Sequence, residues 1–287
     1  MQNNIFLLPL YNDWQSLQRL LEEINSQIKN LKKKAEIFVI DDNSKSQLKI
    51  NIKNFNNIKK INIIRLNKNL GSQKAISIGL RYIQSLKKKS IITVLDSDGE
   101  DDSSKILEMI NCAEKNKNSI VVSCRSKRKE GIFFNLLYSI HKTITYLFSA
   151  KLINFGNYSS FDSKNLEKIL VNSSTWFAYS SAVAKNCNII KLFAERKKRF
   201  FGKSQLSFMG LFLHSLRVNC VFLPRIIILS IIYISLIFFF KEYLSLFFIL
   251  IVFFIILFNV AMICIYLHVK PSQFYKSLKF IQKKTVL

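Results

Sequence analysis

A run of apolar, partly β-branched residues, Ile91 to Leu95, ends in Asp96-Ser97-Asp98-Gly99-Glu100-Asp101-Asp102. Carboxylates are hard oxygen ligands. Asp96 and Asp98 alternate, so with one small residue between them both can converge on one side of a turn. A Mg²⁺ or Mn²⁺ ion held by carboxylates and substrate phosphates asks for this arrangement. The same residues also suit a solvated acidic turn that caps the next helix. A short apolar run bounded by turn residues reads as a buried strand, and unpaired carboxylates cannot continue into a buried sheet. The cluster must therefore stand where the strand leaves the sheet. In open α/β sheets that edge is where ligands bind.

The elements that position this cluster follow from the pattern around it. Ile5 to Leu8 reads as a first strand, with a loop from Pro9 to Asp13. Leu17, Leu20, Leu21, Ile24 and Ile28 recur at helical spacing, with Asn12 or Asp13 as N-cap. Ile37 to Ile40 is a second strand, closed by Asp41-Asp42-Asn43-Ser44, and Ile61 to Leu66 a third. Asn67 to Gly71 forms a turn before a helix from about Ser72 to Leu86. After the acidic cluster, Ser103 or Ser104 starts a helix on Ile106, Leu107, Ile110 and Ala113. Ile120 to Ser123 is a fifth strand running out at Arg125. Strands alternating with helices predict a doubly wound, Rossmann-like, mostly parallel sheet with helices on both faces. Both acidic clusters then open on one rim.

From Gly131 the character changes. Phe133, Phe134, Leu136, Leu137, Ile140, Ile144, Leu147 and Phe148 form a bulky stripe beside His141, Lys142 and Lys151. It suits a helix in a membrane interface or an ordinary core helix. A second such segment runs from Leu206 to Val218. Ile226 to Phe240 carries no charge but is short for a membrane span, with Leu223 and Pro224 able to extend it; Tyr243 to Leu267 is long enough. Lys241-Glu242 between them makes the pair a hairpin. Arg217 and Arg225 precede it, and Lys270, Lys276, Lys279, Lys283 and Lys284 follow it. The positive-inside rule then places the sheet-forming part and both termini in the cytosol. The expected organisation is residues 1–130 as core, 131–222 as a membrane-interface part, and 223–287 as a hairpin with a basic tail.

Composition limits the alternatives. The chain has 287 residues, a formal net charge of +25, 49% hydrophobic residues and 25 phenylalanines. A basic surface could meet nucleic acid, anionic lipid or phosphorylated substrates. No helix-turn-helix, RNP or zinc-finger pattern is present, so nucleic acid is not expected as a partner. The five cysteines are scattered without a Cys-x-x-Cys and read as buried hydrophobes in a reducing compartment. No histidine has zinc-ligand spacing. No basic segment precedes the first apolar run, so no signal peptide is expected.

Several stretches together resemble the family 2 glycosyltransferases of GT-A fold, specifically the polyprenyl-phosphate (dolichyl- or undecaprenyl-phosphate) hexose transferases. They are Pro9-Leu10-Tyr11-Asn12-Asp13, Ile40-Asp41-Asp42-Asn43-Ser44, Asn69-Leu70-Gly71 with Ala75, Ile76 and Gly79, Asp96 to Asp101, Arg125 and Arg128, Gly156-Asn157-Tyr158, and Arg196 with Arg199 to Ser204. Asn43 stands where the family has Gly, Ser46 where it has Asp, Asp13 where it has Glu, and Asp102 where Pro is common. The resemblance covers about residues 5 to 210. It implies transfer of a hexose from a UDP- or GDP-linked sugar to polyprenyl phosphate, with inversion, at the cytosolic face of the inner membrane in cell-envelope glycan synthesis. By resemblance, Asp98 and Glu100 hold Mg²⁺ or Mn²⁺ with Asp96 assisting or bonding the ribose. Pro9, Tyr11, Asp13, Ile40, Asp42 and Ser97 surround the nucleotide. Arg199 and Lys203 meet the diphosphate, and Arg125 or Arg128 the acceptor phosphate. Asp98, Arg125 and Arg199 are the catalytic candidates. A solvated basic face is the alternative for the four cations. Transfer to a sugar hydroxyl of a lipid-linked glycan, with Asp101 or Asp102 as base, and a non-catalytic scaffold are the competing functions. A homo-oligomer stays open.

Overall fold

The structure is a computed structural model that describes residues 3–31, 34–46, 50–52, 55–125, 132–202, 208–239 and 246–287. Among the described residues the strands are β1 (Asn3–Leu10), β2 (Ala35–Asp41), β3 (Ile58–Leu66), β4 (Ser90–Val94), β5 (Ser119–Arg125), β6 (Phe155–Asp162), β7 (Asn188–Ala194) and β8 (Ile281–Val286). They form one sheet in the order β7-β5-β6-β4-β1-β2-β3-β8. The helices are α1 (Trp14–Gln27), α2 (Ser72–Ser85), α3 (Ile106–Lys115), α4 (Ile132–Ser149), α5 (Leu166–Ile169), α6 (Tyr179–Asn186), α7 (Phe208–Cys220), α8 (Leu223–Phe239) and α9 (Leu246–Val269).

The mostly parallel α/β sheet is as the sequence predicts, with two antiparallel strands that it does not reveal. β6 runs antiparallel between β4 and β5, and β8 pairs antiparallel with β3 at the edge. β1 also continues through Pro9 to Leu10, where a loop is expected; Pro9 pairs with Ile40 of β2. The stretch read as a basic tail is instead a 3₁₀ stretch, Pro271–Phe280, followed by β8. Lys283 and Lys284 on that edge strand are the charges that keep an exposed edge from pairing with other chains.

The core sits on both faces of β1. On one side α1 buries Leu17, Leu20, Leu21 and Ile24 against Phe6, Leu8 and the Ile106, Met109 and Ile110 face of α3. Each such side chain contributes about 1.5–3 kcal/mol. That outweighs the roughly 1 kcal/mol that a side-chain N-cap would add. Asp13 stands at the cap position but makes no capping bond with its side chain, so its carboxylate is available for other work. On the opposite side α2 approaches the sheet at Gly79. A Cβ there would lie 2.4 Å from Leu7 Cδ1 and 2.9 Å from Ile40 Cγ1, so any larger residue must displace those side chains.

Contacts divide the chain into two units: residues 1–129, 154–205 and 272–287 form the sheet unit, and 130–153 with 206–271 the helical unit. The expected 131–222 part is thus split, with 154–205 supplying β6, β7 and the helices between them. The helical unit contains α4, α7, α8 and α9. α9 is long and apolar enough to cross a membrane, and only 6% of its most apolar window is buried. α8 starts at Leu223 and Pro224, and with 17 residues spans about 25 Å. Inside this unit Asn259 Nδ2 donates to Ser230 Oγ at 2.7 Å, tying α9 to α8. Phe239, Phe247, Phe253 and Phe254 are exposed. Lys241 and Glu242 lie outside the described residues.

Candidate functional site

The acidic turn leaves β4 at the rim and is built by its own carboxylates. Glu100 N–H donates to Asp98 Oδ1 at 3.0 Å, and Asp96 N–H to Asp101 Oδ2 at 3.1 Å. Asp102 accepts from Ser104 N–H at 3.1 Å, capping the 3₁₀ turn Ser103–Lys105 that leads into α3. Asp101 and Asp102, the sequence candidates for a base, therefore both hold the turn together. Burial works against the charge on Asp102, but bonds from Lys197 and Ser104 hold its carboxyl below the usual carboxylate range.

A basic segment beyond β7 lies across this turn. Lys197 N–H donates to Glu100 O at 2.9 Å and Phe200 N–H to Asp98 O at 3.0 Å. Side chains repeat the pairing: Arg196 Nε bonds Glu100 at 2.9 Å, and Lys197 meets Asp102 at 2.8 Å. Arg199 bridges two carboxylates, Asp98 Oδ2 at 3.1 Å and Asp13. The Phe200 ring lies on Gly99, whose φ is +83° and where a Cβ would be 2.3 Å from the ring. The Arg19 guanidinium lies over the Phe200 ring, 4.7 Å from its centroid. Gly99 thus serves both the left-handed turn and the close approach of Phe200. Burial, with Glu100 and Asp13 nearby, raises the Asp98 pKa, while Arg199 works in the opposite direction.

The expected metal set is not gathered into one shell. Asp96 is held by Asn157 Nδ2 at 2.9 and 3.2 Å, Asp98 by Arg199, and Glu100 by Arg196. Among the described residues no three His, Cys, Asp or Glu side chains converge as metal ligands. The donors near Asp98 are all oxygen. That chemistry fits a Mg²⁺ or Mn²⁺ held by one or two carboxylates with the rest supplied by substrate phosphates, and it does not fit an all-protein cage.

The other expected residues fall along the same rim of the sheet unit. Pro9 and Ile40 are paired neighbours in β1 and β2, and Tyr11 and Asp13 follow β1 directly. Ser97 is buried in the acidic turn. Asp42, expected around base and ribose, gives its two oxygens to Leu70 N–H and Gly71 N–H, each at 2.7 Å. It anchors the start of α2, and burial raises its pKa despite those bonds. Arg125 ends β5, its backbone paired with Ala194. Arg128 and Lys203 lie outside the described residues.

Sequence reasoning missed the connecting residues. Asn12, with φ of 57°, accepts Lys45 N–H at 2.7 Å and donates its own N–H to Ser44 Oγ at 2.8 Å. It links the loop after β1 to the loop after β2. Arg196 enters the resemblance without an assigned role, and Lys197 carries no signal of its own.

Comparison with known proteins agrees with this architecture. Two solved structures share the fold: mannosyl-3-phosphoglycerate synthase from Rubrobacter xylanophilus (14% identity, TM-score 0.50, 78% of this chain and 74% of that one) and glucosyl-3-phosphoglycerate synthase from Mycobacterium tuberculosis in complex with UDP (12%, TM-score 0.52, 78% and 80%). The chain is 23% identical over 135 residues to a dodecaprenyl-phosphate galacturonate synthase of Rhizobium johnstonii, covering 46% of this chain and 39% of the relative. It is 26% identical over 130 residues to an undecaprenyl-phosphate 4-deoxy-4-formamido-L-arabinose transferase of Proteus mirabilis, covering 45% and 38%. The matches thus span less than half the length of these relatives. The model of glycosyl transferase family 2 matches residues 6–187, and the chain belongs to that family.

Proposed function

We propose that this chain transfers a hexose from a UDP- or GDP-linked sugar to polyprenyl phosphate, with inversion at the anomeric carbon, at the cytosolic face of the inner membrane. The observation that carries the reading is the meeting of Arg199 with Asp98 and Asp13 at the rim. A guanidinium matches phosphate oxygens with two parallel bonds. A nucleotide diphosphate entering this rim competes for Arg199, and Asp98 is released as Arg199 exchanges carboxylates for phosphate. Asp98 and Glu100 would hold Mg²⁺ or Mn²⁺ against that diphosphate. The ion would stabilise the charge that grows on the leaving oxygen. Asp96 then faces the ribose or assists at the metal, with Pro9, Tyr11, Ile40, Asp42 and Ser97 around the nucleotide and Lys203 on the diphosphate.

The acceptor side is supported by chemistry and by the relatives' names. A phosphomonoester has a second pKa of about 6 and attacks at neutral pH without a strong base. No histidine lies in the motifs, and Asp101 and Asp102 already hold the turn. Arg125 and Arg128 are the residues proposed to position the acceptor phosphate. Both relatives carry prenyl phosphate in their names, and the helical unit exposes enough apolar surface to meet lipid.

The test is a donor screen with detergent-solubilised protein, Mn²⁺, labelled UDP- and GDP-sugars and undecaprenyl phosphate. Label should move into the lipid extract as a phosphodiester labile to mild acid. If polyprenyl phosphate is ignored while a lipid-linked disaccharide is glycosylated, the acceptor is a hydroxyl and the reading fails.

A further inference from the structure

An uncharged line of amides ends on Asp96. It begins at Tyr179, the first residue of α6, whose backbone N–H is one of the donors a helix start leaves unused. That N–H bonds Gln73 Oε1 at 2.7 Å. A backbone N–H can only donate, so the Gln73 oxygen must face it and the Gln73 nitrogen must face away. Gln73 Nε2 then reaches Asn157 Oδ1 at 3.2 Å. Asn157 in turn must present Nδ2 on its other side, where it meets both oxygens of Asp96 at 2.9 and 3.2 Å. The polarity of the whole line is thus set by a nitrogen that cannot turn round.

The sheet supplies the last step. β6 is antiparallel to β4, with Ser159 opposite Val94. Two residues further along the same register, Asn157 comes opposite Asp96, just beyond the end of the strand.

The geometry points to Gln73 and Asn157 as positioning residues that hold Asp96 in one orientation for the nucleotide part of the donor. This rests on the transferase reading, which takes Asp96 as a donor contact. Neither residue need touch the substrate. Both act through the direction in which Asn157 presents its amide.

That direction gives a test a packing role would not pass. Gln73→Glu keeps shape and still accepts from Tyr179, but cannot donate to Asn157. Asn157 must then turn its nitrogen toward Glu and its oxygen toward the Asp96 carboxylate. Gln73→Met merely ends the line and leaves Nδ2 free to stay on Asp96. Binding of UDP and of GDP, each with Mg²⁺, is measured by calorimetry on the full-length solubilised protein, with melting temperature as the fold control. Asn157→Ala, which loses one bond to a charged group, should weaken the bound nucleotide about tenfold. Gln73→Met should stay within about threefold of wild type, and Gln73→Glu should lose roughly a hundredfold. Adding Asn157→Ala to Gln73→Glu should restore affinity to the Asn157→Ala level, because it removes the misdirected oxygen. The KM for polyprenyl phosphate should not change in any of these variants.

If Gln73→Glu binds as Gln73→Met does, or the double variant is weaker than Gln73→Glu alone, the relay is refuted. Should Gln73→Glu fail to fold, wild-type affinity in Asn157→Ala refutes it equally. If wild-type protein binds neither nucleotide, the transferase reading falls and takes the relay with it.

Discussion

Replacing Arg199 by alanine separates two jobs that one guanidinium performs. In the structure it neutralises Asp98 and Asp13, and the three side chains are 18%, 20% and 17% exposed. A fully exposed pair is worth 0–1 kcal/mol, and stripping a partner from a fully buried one costs 3–5 kcal/mol. At this partial exposure Arg199→Ala should cost about 2 kcal/mol, leaving two carboxylates facing each other. For a unit of this size that lowers Tm by about 4–8 °C. The second job, under the proposed function, is to grip the donor diphosphate. Losing a charge-assisted bond of about 1.5–3 kcal/mol weakens nucleotide binding roughly ten- to over a hundredfold.

The two losses respond to metal with opposite sign. In the wild-type protein a divalent cation arriving alone must displace Arg199 from Asp98. In Arg199→Ala the carboxylates are already open, so Mn²⁺ alone should raise Tm more in the variant than in wild type, while UDP or GDP should raise it less. Arg199→Lys keeps the charge but not the fork. It should recover most of the Tm and little of the nucleotide affinity. Thermal melts of solubilised protein with Mn²⁺, nucleotide or both read all of this. Equal Mn²⁺ shifts in variant and wild type would refute the exchange of partners. Undiminished nucleotide binding would refute the diphosphate contact.

Asp98→Asn should lose more than a hundredfold in turnover while the melt stays cooperative, checked by lipid-extractable label and circular dichroism. Arg125→Ala should raise the KM for polyprenyl phosphate at least tenfold and leave that for the nucleotide-sugar nearly unchanged. Gly99→Ala should destabilise by about 1–3 kcal/mol through its φ of +83° and its clash with Phe200. Adding Phe200→Ala should relieve only the clash, which denaturant melts can separate. Turnover should fall as pH drops through about 6, where the acceptor phosphate gains its second proton.

What the sequence made legible was local. The acidic turn is contiguous, β4 before it is a plain apolar run, and α2 follows directly from an Asn-x-Gly turn. What it hid depends on distant partners. β6 contains Ser159 and Ser160, polar residues that no hydropathy pattern would bury. Both are fully buried because Ser160 bonds Thr93 at 2.8 Å and Ser159 bonds Tyr179. β8 reads as a basic tail until β3 offers it an edge to pair with. The site shows the same divide. Asp13 lies far along the chain from Arg199, so spacing could not join them. Asp42 is a nucleotide contact by resemblance, and its bonds to the backbone N–H groups at the head of α2 depend on partners that spacing does not reveal.

The late return of the chain to the sheet also constrains the membrane topology. The sheet unit is left after residue 129 and re-entered at 154, and left again after 205 and re-entered at 272. β5 and β6 flank the first excursion and are paired in one sheet. β8 follows the second and is paired with β3. Strands of one sheet lie on one side of a bilayer, so each excursion crosses it an even number of times. Among the described residues the first contains one helix, α4, which on the proposed membrane placement does not span. The second contains α9, which is long enough to span, and a lone crossing by α9 would strand β8 on the wrong side. If α9 crosses, α8, alone or bent against α7, is proposed to cross as well. Its roughly 25 Å is short of the usual 30 Å and would call for thinned lipid. A reporter after Leu287 should accordingly be cytosolic and one inserted between Lys241 and Glu242 should not. A reporter between Ala150 and Lys151 should match the one after Leu287. If the 241 and 287 positions report the same side, α8 and α9 do not form a hairpin across the membrane.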